Sequence, residues 1–592
     1  MASLSTSTST GTSASTGPET RPKLHGRAFY ESLGSPKFVV APMVDQSEFA
    51  WRMLTRSFLA PQDNAKLLAY TPMFHARLFD ETPKYRDSHF QATRQPVGGP
   101  DIADDSAGPP FLDGNPGLDR PLFVQFCAND PEHLLRAAQM VAPYCDAVDL
   151  NLGCPQGIAR KGHYGAFLQE DQKLIYDLIN ILHENLSIPV TAKIRILDTK
   201  EDTLAYAKNV LSAGASILTV HGRRREQKGH LTGVADWGYI RYLRENLPRD
   251  TVIFANGNIL QHGDMEKCLE ATGADAVMSA EGNLSDPSIF AAPPAPGQEG
   301  REYWRGLDGK GGYRVDAVFR RYLDILHKYV LEQEPPKRRP LFVAGDDVAW
   351  LNDDAEAQGG DHEEGPARKK VKQNGAASAR STSPNIVGVR PHLFHLLRHF
   401  ISTHTDIRDM LARTNPGDMA GVEKVLDMVE RRVAQGLLDY ERTGGKSIEG
   451  EGESAPKFTS PATATGTPRG EEGKEGDVDP EDDPESSVAT VKACKRPWWI
   501  VQPIVRPLPK EALAKGSIKM SKKDKKKQAQ AAVSTTVAAE SIDGNGTGRD
   551  GPAPKVEEAR LPKSDEEEAI NIQEPLIHPT APELTTHALV SG

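Results

Sequence analysis

Cysteine is scarce, with five in 592 residues. Their odd number and scattered positions exclude the paired framework of a small secreted domain. With no secretory apolar segment ahead of them, a reducing compartment is expected, the cytoplasm first. Long apolar runs are also missing, which excludes a membrane-spanning helix. Hydrophobic residues make up only 38% and aromatics 6%, and the mean hydropathy is -0.50. That is too little apolar surface for a chain of this length to fold throughout, so part of it is expected to stay unstructured. An excess of base is lacking as well: 71 Lys and Arg against 82 Asp and Glu give a net charge of -11, which on its face argues against a polyphosphate partner. The distribution reverses that reading. Acid collects at Glu471 to Glu485 and Glu557 to Glu568, base at Arg368 to Lys372 and Lys519 to Lys527, so the acidic total belongs to tails rather than to a binding face. The run Arg368-Lys369-Lys370-Val371-Lys372 has the composition of a nuclear import signal and extends the expected location to the nucleus.

The most informative stretch is Asp146 to Ala166, DAVDLNLGCPQGIARKGHYGA. Ala147 to Leu150 reads as a short buried strand. Asn151 and Cys154 fall at and beyond its C-terminal end, and Pro155 keeps the thiol on a loop. Arg160, Lys161 and His163 are expected to bring positive charge near it, and Gly153, Gly157, Gly162 and Gly165 to let backbone approach a ligand. Around this stretch strands and helices alternate. Strands are expected at Phe38–Pro42, Lys66–Tyr70, Pro121–Phe126, Ala147–Leu150, Pro189–Ile196, Ser216–Val220, Thr251–Ala255 and Asp275–Ser279, with a helix between most pairs. Eight strands in a span close to the roughly 250 residues of a (β/α)₈ barrel make an α/β TIM barrel the expected fold.

Such barrels do their chemistry at the C-terminal strand ends, and there the unusual residues gather: Pro42-Met43-Val44, Thr71, Gln125, Asn151 and Cys154, His221, Asn256-Gly257-Asn258 and Ala280-Glu281-Gly282. Lys193 stands out as a charge within an apolar strand. It needs a partner if it points inward, and Arg195 shares its face. The loops after the last two strands lie where barrels of this class bind phosphate.

Taken together, APMVDQSEFAWR, VQFCANDPE, DLNLGCPQGIARKGHYGAFLQ, AKIRI, TVHGRR, FANGNI and MSAEGNL, in that order from about Lys37 to Phe290, resemble the tRNA-dihydrouridine synthases. These are flavin enzymes that reduce a uracil ring within tRNA. The pattern is most similar to the eukaryotic branch that acts on D-loop positions 16 and 17. The resemblance implies FMN as cofactor, NADPH or NADH as reductant and tRNA as partner, with no metal. It carries FMN-binding roles to Pro42, Met43, Val44, Gln125, Lys193, His221, Asn256, Gly257, Asn258, Ala280 and Glu281, and the role of proton donor to Cys154. Many bacterial relatives have Gly-Arg where this chain has Ala280-Glu281, so the FMN phosphate must be met by backbone amides or by Lys or Arg from elsewhere.

After a barrel over 35–295, apolar residues at helical spacing mark Val315–Leu331, a segment from Pro391 and one from Met419. They form an all-α region over 310–442, interrupted by a polar insertion at about 341–384. Arg390, His392, His395, Arg398 and His399 crowd one of these segments, and the resemblance implies that this region helps to hold tRNA. Asn151 is expected to steady the base, and Lys161, Arg223, Arg390 and Arg398 to meet RNA. Residues 1–34 and 443–592 are expected to be disordered tails, apart from a Trp/Pro island at 497–509 that docks on the folded body. Three competing readings use the same residues: an FMN barrel acting on a small pyrimidine, a Schiff-base lyase using Lys193, and a non-catalytic tRNA-binding scaffold.

Overall fold

The computed structural model describes residues 23–94, 109–229, 232–351, 383–448 and 496–503. The import-like run, both acidic blocks and the lysine-rich run lie outside these residues. The strands are β1 (Phe38–Val40), β2 (Leu67–Tyr70), β3 (Phe74–His75), β4 (Leu122–Cys127), β5 (Ala147–Leu152), β6 (Val190–Arg195), β7 (Ile217–His221), β8 (Val252–Asn256) and β9 (Ala276–Ser279). They pair in parallel in the order β2-β1-β9-β8-β7-β6-β5-β4-β3, and β2 also pairs with β4. That extra pairing closes an eight-stranded barrel, with the two-residue β3 as an addition on β4.

The strands are buried on both faces because helices cover the outside, and every residue of β2 and β4 to β9 is buried. Side chains set where the covering helices start. The carboxylates of Asp130, Asp171 and Asp236 and the hydroxyl of Thr199 accept backbone N–H groups at the openings of Pro131–Val141, Gln172–Asn185, Trp237–Asn246 and Lys200–Ser212. Register then aligns the chemistry: Gln125 faces Asp149, Asn151 faces Lys193, Arg195 faces His221 and His221 faces Asn256. One ring of polar side chains therefore runs around the upper barrel.

Several boundaries differ from the sequence reading. The N-terminal tail was expected to reach residue 34, but Gly26–Ser32 is a helix that buries Phe29 and Tyr30, and the Tyr30 hydroxyl donates to the carbonyls of Pro36 and Asp275. Leu341 and Phe342, expected in a polar insertion, are buried, and Phe342 O accepts from Arg314. The helix expected from Pro391 is three short ones, Val389–Leu396, Arg398–Thr403 and Thr405–Arg413. The all-α region shares its core with the barrel, for His392 stacks on Trp51 at 4.0 Å and its Nε2 lies 2.9 Å from a Glu48 carboxylate oxygen. His392 is thus an internal fastener and not part of an RNA-facing surface. Among the described residues no helix is long and apolar enough to cross a membrane, and no group of three or more His, Cys, Asp or Glu is placed to hold a metal.

The described part of the Trp/Pro island, 496–503, adds to the hairpin of β10 (Tyr303–Arg305) and β11 (Gly311–Tyr313). Val315 N donates to Trp499 O, and Val501 N to Tyr313 O. Trp499 is 1% exposed and packs edge-on against Trp304 and Tyr440. A Cβ on Gly436 would lie 2.7–2.8 Å from Trp498 and Trp499, so the helix Met419–Thr443 approaches the island by backbone alone. Trp499→Ala is expected to cost about 3–5 kcal/mol, read as a lower thermal midpoint. A midpoint within a degree of wild type would mean that the island carries no packing load.

Candidate active site

Cys154 sits where β5 gives way to the helix Gly157–Lys161. Its backbone is gripped on both sides: its N–H and that of Gly153 donate to Asn151 Oδ1 at 2.9 and 3.1 Å, and its carbonyl accepts from Ala166 N. Gly165, at φ +64, passes so close that a Cβ there would lie 2.9 Å from Cys154 O, which requires glycine. Burial raises the thiol pKa above its ordinary value. The N–H of Gln156 and the charges of Arg195, Lys193 and Lys228 offset this only in part. The thiol therefore keeps its proton near neutrality, as an acid must. The acting cations are not those expected from the sequence, because Arg160 and Lys161 at the end of the short helix and His163 just beyond it are exposed.

Lys193 is buried without a hydrogen bond among the described residues. Burial lowers its pKa to about 8, Arg195 adds to the fall, and Asp149 and Cys154 oppose it. Asp149, a second charge within an apolar strand that the sequence reading passed over, opposes this through space, with no ion pair between the two. It is fully buried, accepts from Thr191 Oγ1 at 2.6 Å and Gln125 Nε2 at 2.8 Å, and is pushed up to about 6 by burial. Gln125 Oε1 in turn accepts from Asn151 Nδ2 at 2.8 Å. The period-two spacing of Asp149 and Asn151 around Leu150 was the available signal, since it places both on one face.

Arg195 ties two loops together, donating to Gly153 O at 2.6 Å and Arg224 O at 3.1 Å. Burial lowers its pKa to about 10. Arg223, expected to meet RNA, turns inward instead: it donates to His221 Nε2 at 3.0 Å, Asn258 Oδ1 at 2.5 Å and Gly233 O at 2.9 Å. Because arginine only donates, His221 Nε2 accepts and the ring proton lies on Nδ1. Burial and the Arg195, Lys193 and Arg223 charges hold this histidine neutral, well below its usual pKa. Of the remaining residues expected to meet RNA, Lys161 and Arg398 are exposed, whereas Arg390 is half-buried and donates to Thr414 O. Arg398 lies 3.4 Å from His395 Nδ1, and His395 Nε2 lies 3.3 Å from Gln46 Nε2, so this arginine is linked to the loop after β1.

The mouth fits a flavin nucleotide. Among the described residues, His221 Nδ1 and Asn256 Oδ1 are buried polar atoms without a hydrogen-bond partner, and the buried Lys193 ammonium makes no hydrogen bond. Such groups at the end of a barrel call for a polar ligand. Gly257 and Asn258 take φ of +113° and +60°, turning the loop after β8 sharply, and a Cβ on Gly282 would lie 2.2 Å from Ile259 O. Ser47 Oγ holds the first loop by accepting from Met43 N. Pro42 and Met43 are buried below it, and Val44 is exposed at the rim. Ala280 is buried, and Glu281 is half-buried at the opening of the helix Glu281–Ser285.

A family model described as dihydrouridine synthase matches residues 39–303, the barrel and the turn into the hairpin. The fission yeast Schizosaccharomyces pombe has a protein named tRNA-dihydrouridine(16/17) synthase, NAD(P)(+), that is 39% identical over 488 residues, or 82% of this chain and 92% of that one. The chain belongs to the dihydrouridine synthase family. A Saccharomyces cerevisiae member with the same name is 46% identical, covering 66% of this chain and 73% of its own length. A human member named for positions 20a/20b is 34% identical over 43% of this chain and 70% of its own. The similarity to the fission yeast enzyme thus runs beyond the barrel into the all-α region. Cys154 itself is half-buried.

Proposed function

We propose that this protein reduces uridine to 5,6-dihydrouridine at positions 16 and 17 of the tRNA D-loop, using FMN and NADPH, with NADH as a second reductant. The observation that carries this reading is the half-buried Cys154, its loop gripped by Asn151, beside a barrel mouth whose uncommitted polar atoms suit a flavin. Lys193, His221, Asn256 and the Gly257-Asn258 loop would hold the FMN, together with Pro42 to Val44 and the backbone at Ala280-Glu281. Arg223, which bonds Asn258, brings the cation missing at position 281. Bound FMN supplies hydride for C6 of the uracil. Cys154 would donate the proton to C5, Asn151 would fix both the thiol's loop and the base, and the buried ring of Gln125, Asp149 and Lys193 would exclude water.

Incubation of the purified protein with NADPH and unmodified tRNA should add the mass of two hydrogens per reduced uridine, mapping to positions 16 and 17. An unchanged tRNA overturns the reading. The phosphate backbone is met by exposed base, with Lys161 beside the thiol loop and Arg398 on the all-α region. Changing both to alanine should weaken tRNA binding and reduce the salt slope by about one per lost phosphate contact, while flavin content stays constant. An unchanged slope would place the RNA elsewhere.

A further inference from the structure

Beside the barrel mouth a cavity of about 610 Å³ is bounded by the helices Gln172–Asn185 and Lys200–Ser212 and by the loops after β6 and β7. Clefts that hold small molecules have that size, roughly 300–1,000 Å³. Two of its lining groups, the Tyr206 hydroxyl and Gln169 Nε2, are buried polar atoms with no hydrogen-bond partner among the described residues. Tyr206 is 2% exposed, and burial, with the Glu170 charge behind it, raises its pKa, so the hydroxyl keeps a proton to donate. The neighbouring amides are committed: Asn209 Nδ2 donates to Gln172 O and Oε1, and Gln172 Nε2 to Gln169 O. Buried donors left unmatched in a cleft call for a ligand. Charge narrows its chemistry, because four carboxylates, Glu170, Asp198, Asp202 and Glu226, outnumber Arg224 and Arg225. Glu170 and Glu226 hold Arg225 at 2.6 and 3.3 Å, and Asp198 holds Arg224 at 3.2 Å. The ligand's inner part is therefore uncharged, with acceptors for Gln169 and Tyr206 and hydroxyl or amino donors for the carboxylates.

We infer that this cavity is the subsite for the adenosine end of the nicotinamide reductant, with Gln169 and Tyr206 meeting the adenine and the carboxylates meeting its ribose. The inference rests on the reading above, in which NADPH or NADH reduces a flavin in the barrel mouth. Adenine sets a donor beside an acceptor, the pair that a glutamine amide matches with two bonds. Ribose hydroxyls are what an acidic side chain takes in dinucleotide-binding folds. Position agrees with chemistry. Arg195, at the end of β6, donates to Gly153 O and to Arg224 O, Arg225 donates to Ala166 O, and Ala166 N donates to Cys154 O. The wall that carries both arginines is thus bonded to the thiol loop, and a dinucleotide reaching from mouth to cavity passes its phosphates along that wall. Arg224 and Asp198 pair only at the surface, their side chains being 47% and 85% exposed. Arg224 can therefore turn to the 2′-phosphate of NADPH, which keeps both reductants usable.

The probes are NADP+, which binds without reducing the flavin, and nicotinamide mononucleotide, which lacks the adenosine. Each is titrated by calorimetry into the flavin-loaded full chain and into two variants. Ala205→Trp fills the cavity from an exposed position on its wall, and Tyr206→Phe removes only the unmatched hydroxyl. The readout is the ratio of the mononucleotide's dissociation constant to that of NADP+. Ala205→Trp should lower this ratio about tenfold or more, and Tyr206→Phe about three- to tenfold, the worth of one hydrogen bond. Damage to the mouth would weaken both probes alike and leave the ratio in place. A fall of less than threefold in Ala205→Trp, or a wild type that binds the two probes equally, overturns the inference. If Ala205→Trp does not load flavin, Tyr206→Phe decides, and a fall of less than twofold overturns it. The same variants are titrated with unmodified tRNA. Weaker tRNA binding at an unchanged ratio would assign the cavity to a nucleoside of the RNA, which overturns the inference too. A wild type that shows the expected ratios yet leaves tRNA unreduced overturns only the reading beneath it.

Discussion

Cys154→Ala is expected to bind FMN and accept electrons from NADPH at near wild-type rates while forming about 10²- to 10⁴-fold less dihydrouridine, the usual loss when a positioned acid is removed. The two half-reactions use different groups. In the proposed reaction, cofactor reduction needs the mouth formed by Lys193, His221 and Asn256, whereas uracil reduction also needs a proton at C5. Burial raises the Cys154 thiol above its ordinary value, so the donor stays loaded through pH 8 and activity should not fall there through its ionisation. Cys145 and Cys268 are buried away from the mouth in the covering layer, and their alanine variants should keep most activity. Cys127 is a poor control despite its plain sequence context. It packs with Ala159 and Tyr164 in the small cluster that Cys154 joins, so its removal disturbs the thiol's surroundings. Full uridine reduction by Cys154→Ala would show that another group supplies the proton.

Arg52→Met is expected to cost about 4 kcal/mol or more of stability, beyond what surface substitutions cost. Arg52 is wholly buried and donates to Asp119 at 2.5 and 2.9 Å, to Asp113 at 2.8 Å and to Ser47 O at 2.7 Å. Removing the guanidinium strands two carboxylates in the core, and a buried charge without its partner costs more than the pair ever contributes. The damage also reaches the proposed flavin site, because Ser47 holds Met43 in the loop after β1. Lower urea and thermal midpoints should therefore come with faster flavin loss. Adding Asp113→Asn and Asp119→Asn should recover part of the stability by removing the stranded charge. A single variant within about 1 kcal/mol of wild type would show that the two carboxylates find other partners.

The barrel was legible because its strands are short apolar runs between turn residues, and parallel strands buried on both faces announce themselves that way. The added strand β3 was not legible, because two residues are too few to leave a pattern. Polar residues at the strand ends pointed to the mouth, but not to which of them would turn inward. Arg223 reads as one of three consecutive arginines, and only the fold brings Asn258 and His221 to its guanidinium. Asp113 stands in a stretch rich in Pro, Gly and Asp yet belongs to a core ion cluster, because its partner Arg52 lies 61 residues away. His392 was grouped with its cationic neighbours for the same reason: Glu48 is 344 residues distant. Long-range partners decide whether a charge is surface or core, and local sequence does not encode them.

The central claim is that electrons held by flavin in this barrel pass to a uracil in tRNA. It is tested most directly by reducing the purified enzyme with limiting NADPH without oxygen and then adding unmodified tRNA. The account predicts that the flavin reoxidises with one dihydrouridine formed per flavin, at positions 16 and 17, and that tRNA already modified there leaves it reduced. A flavin that stays reduced with unmodified tRNA, or reoxidises without dihydrouridine appearing, would contradict it.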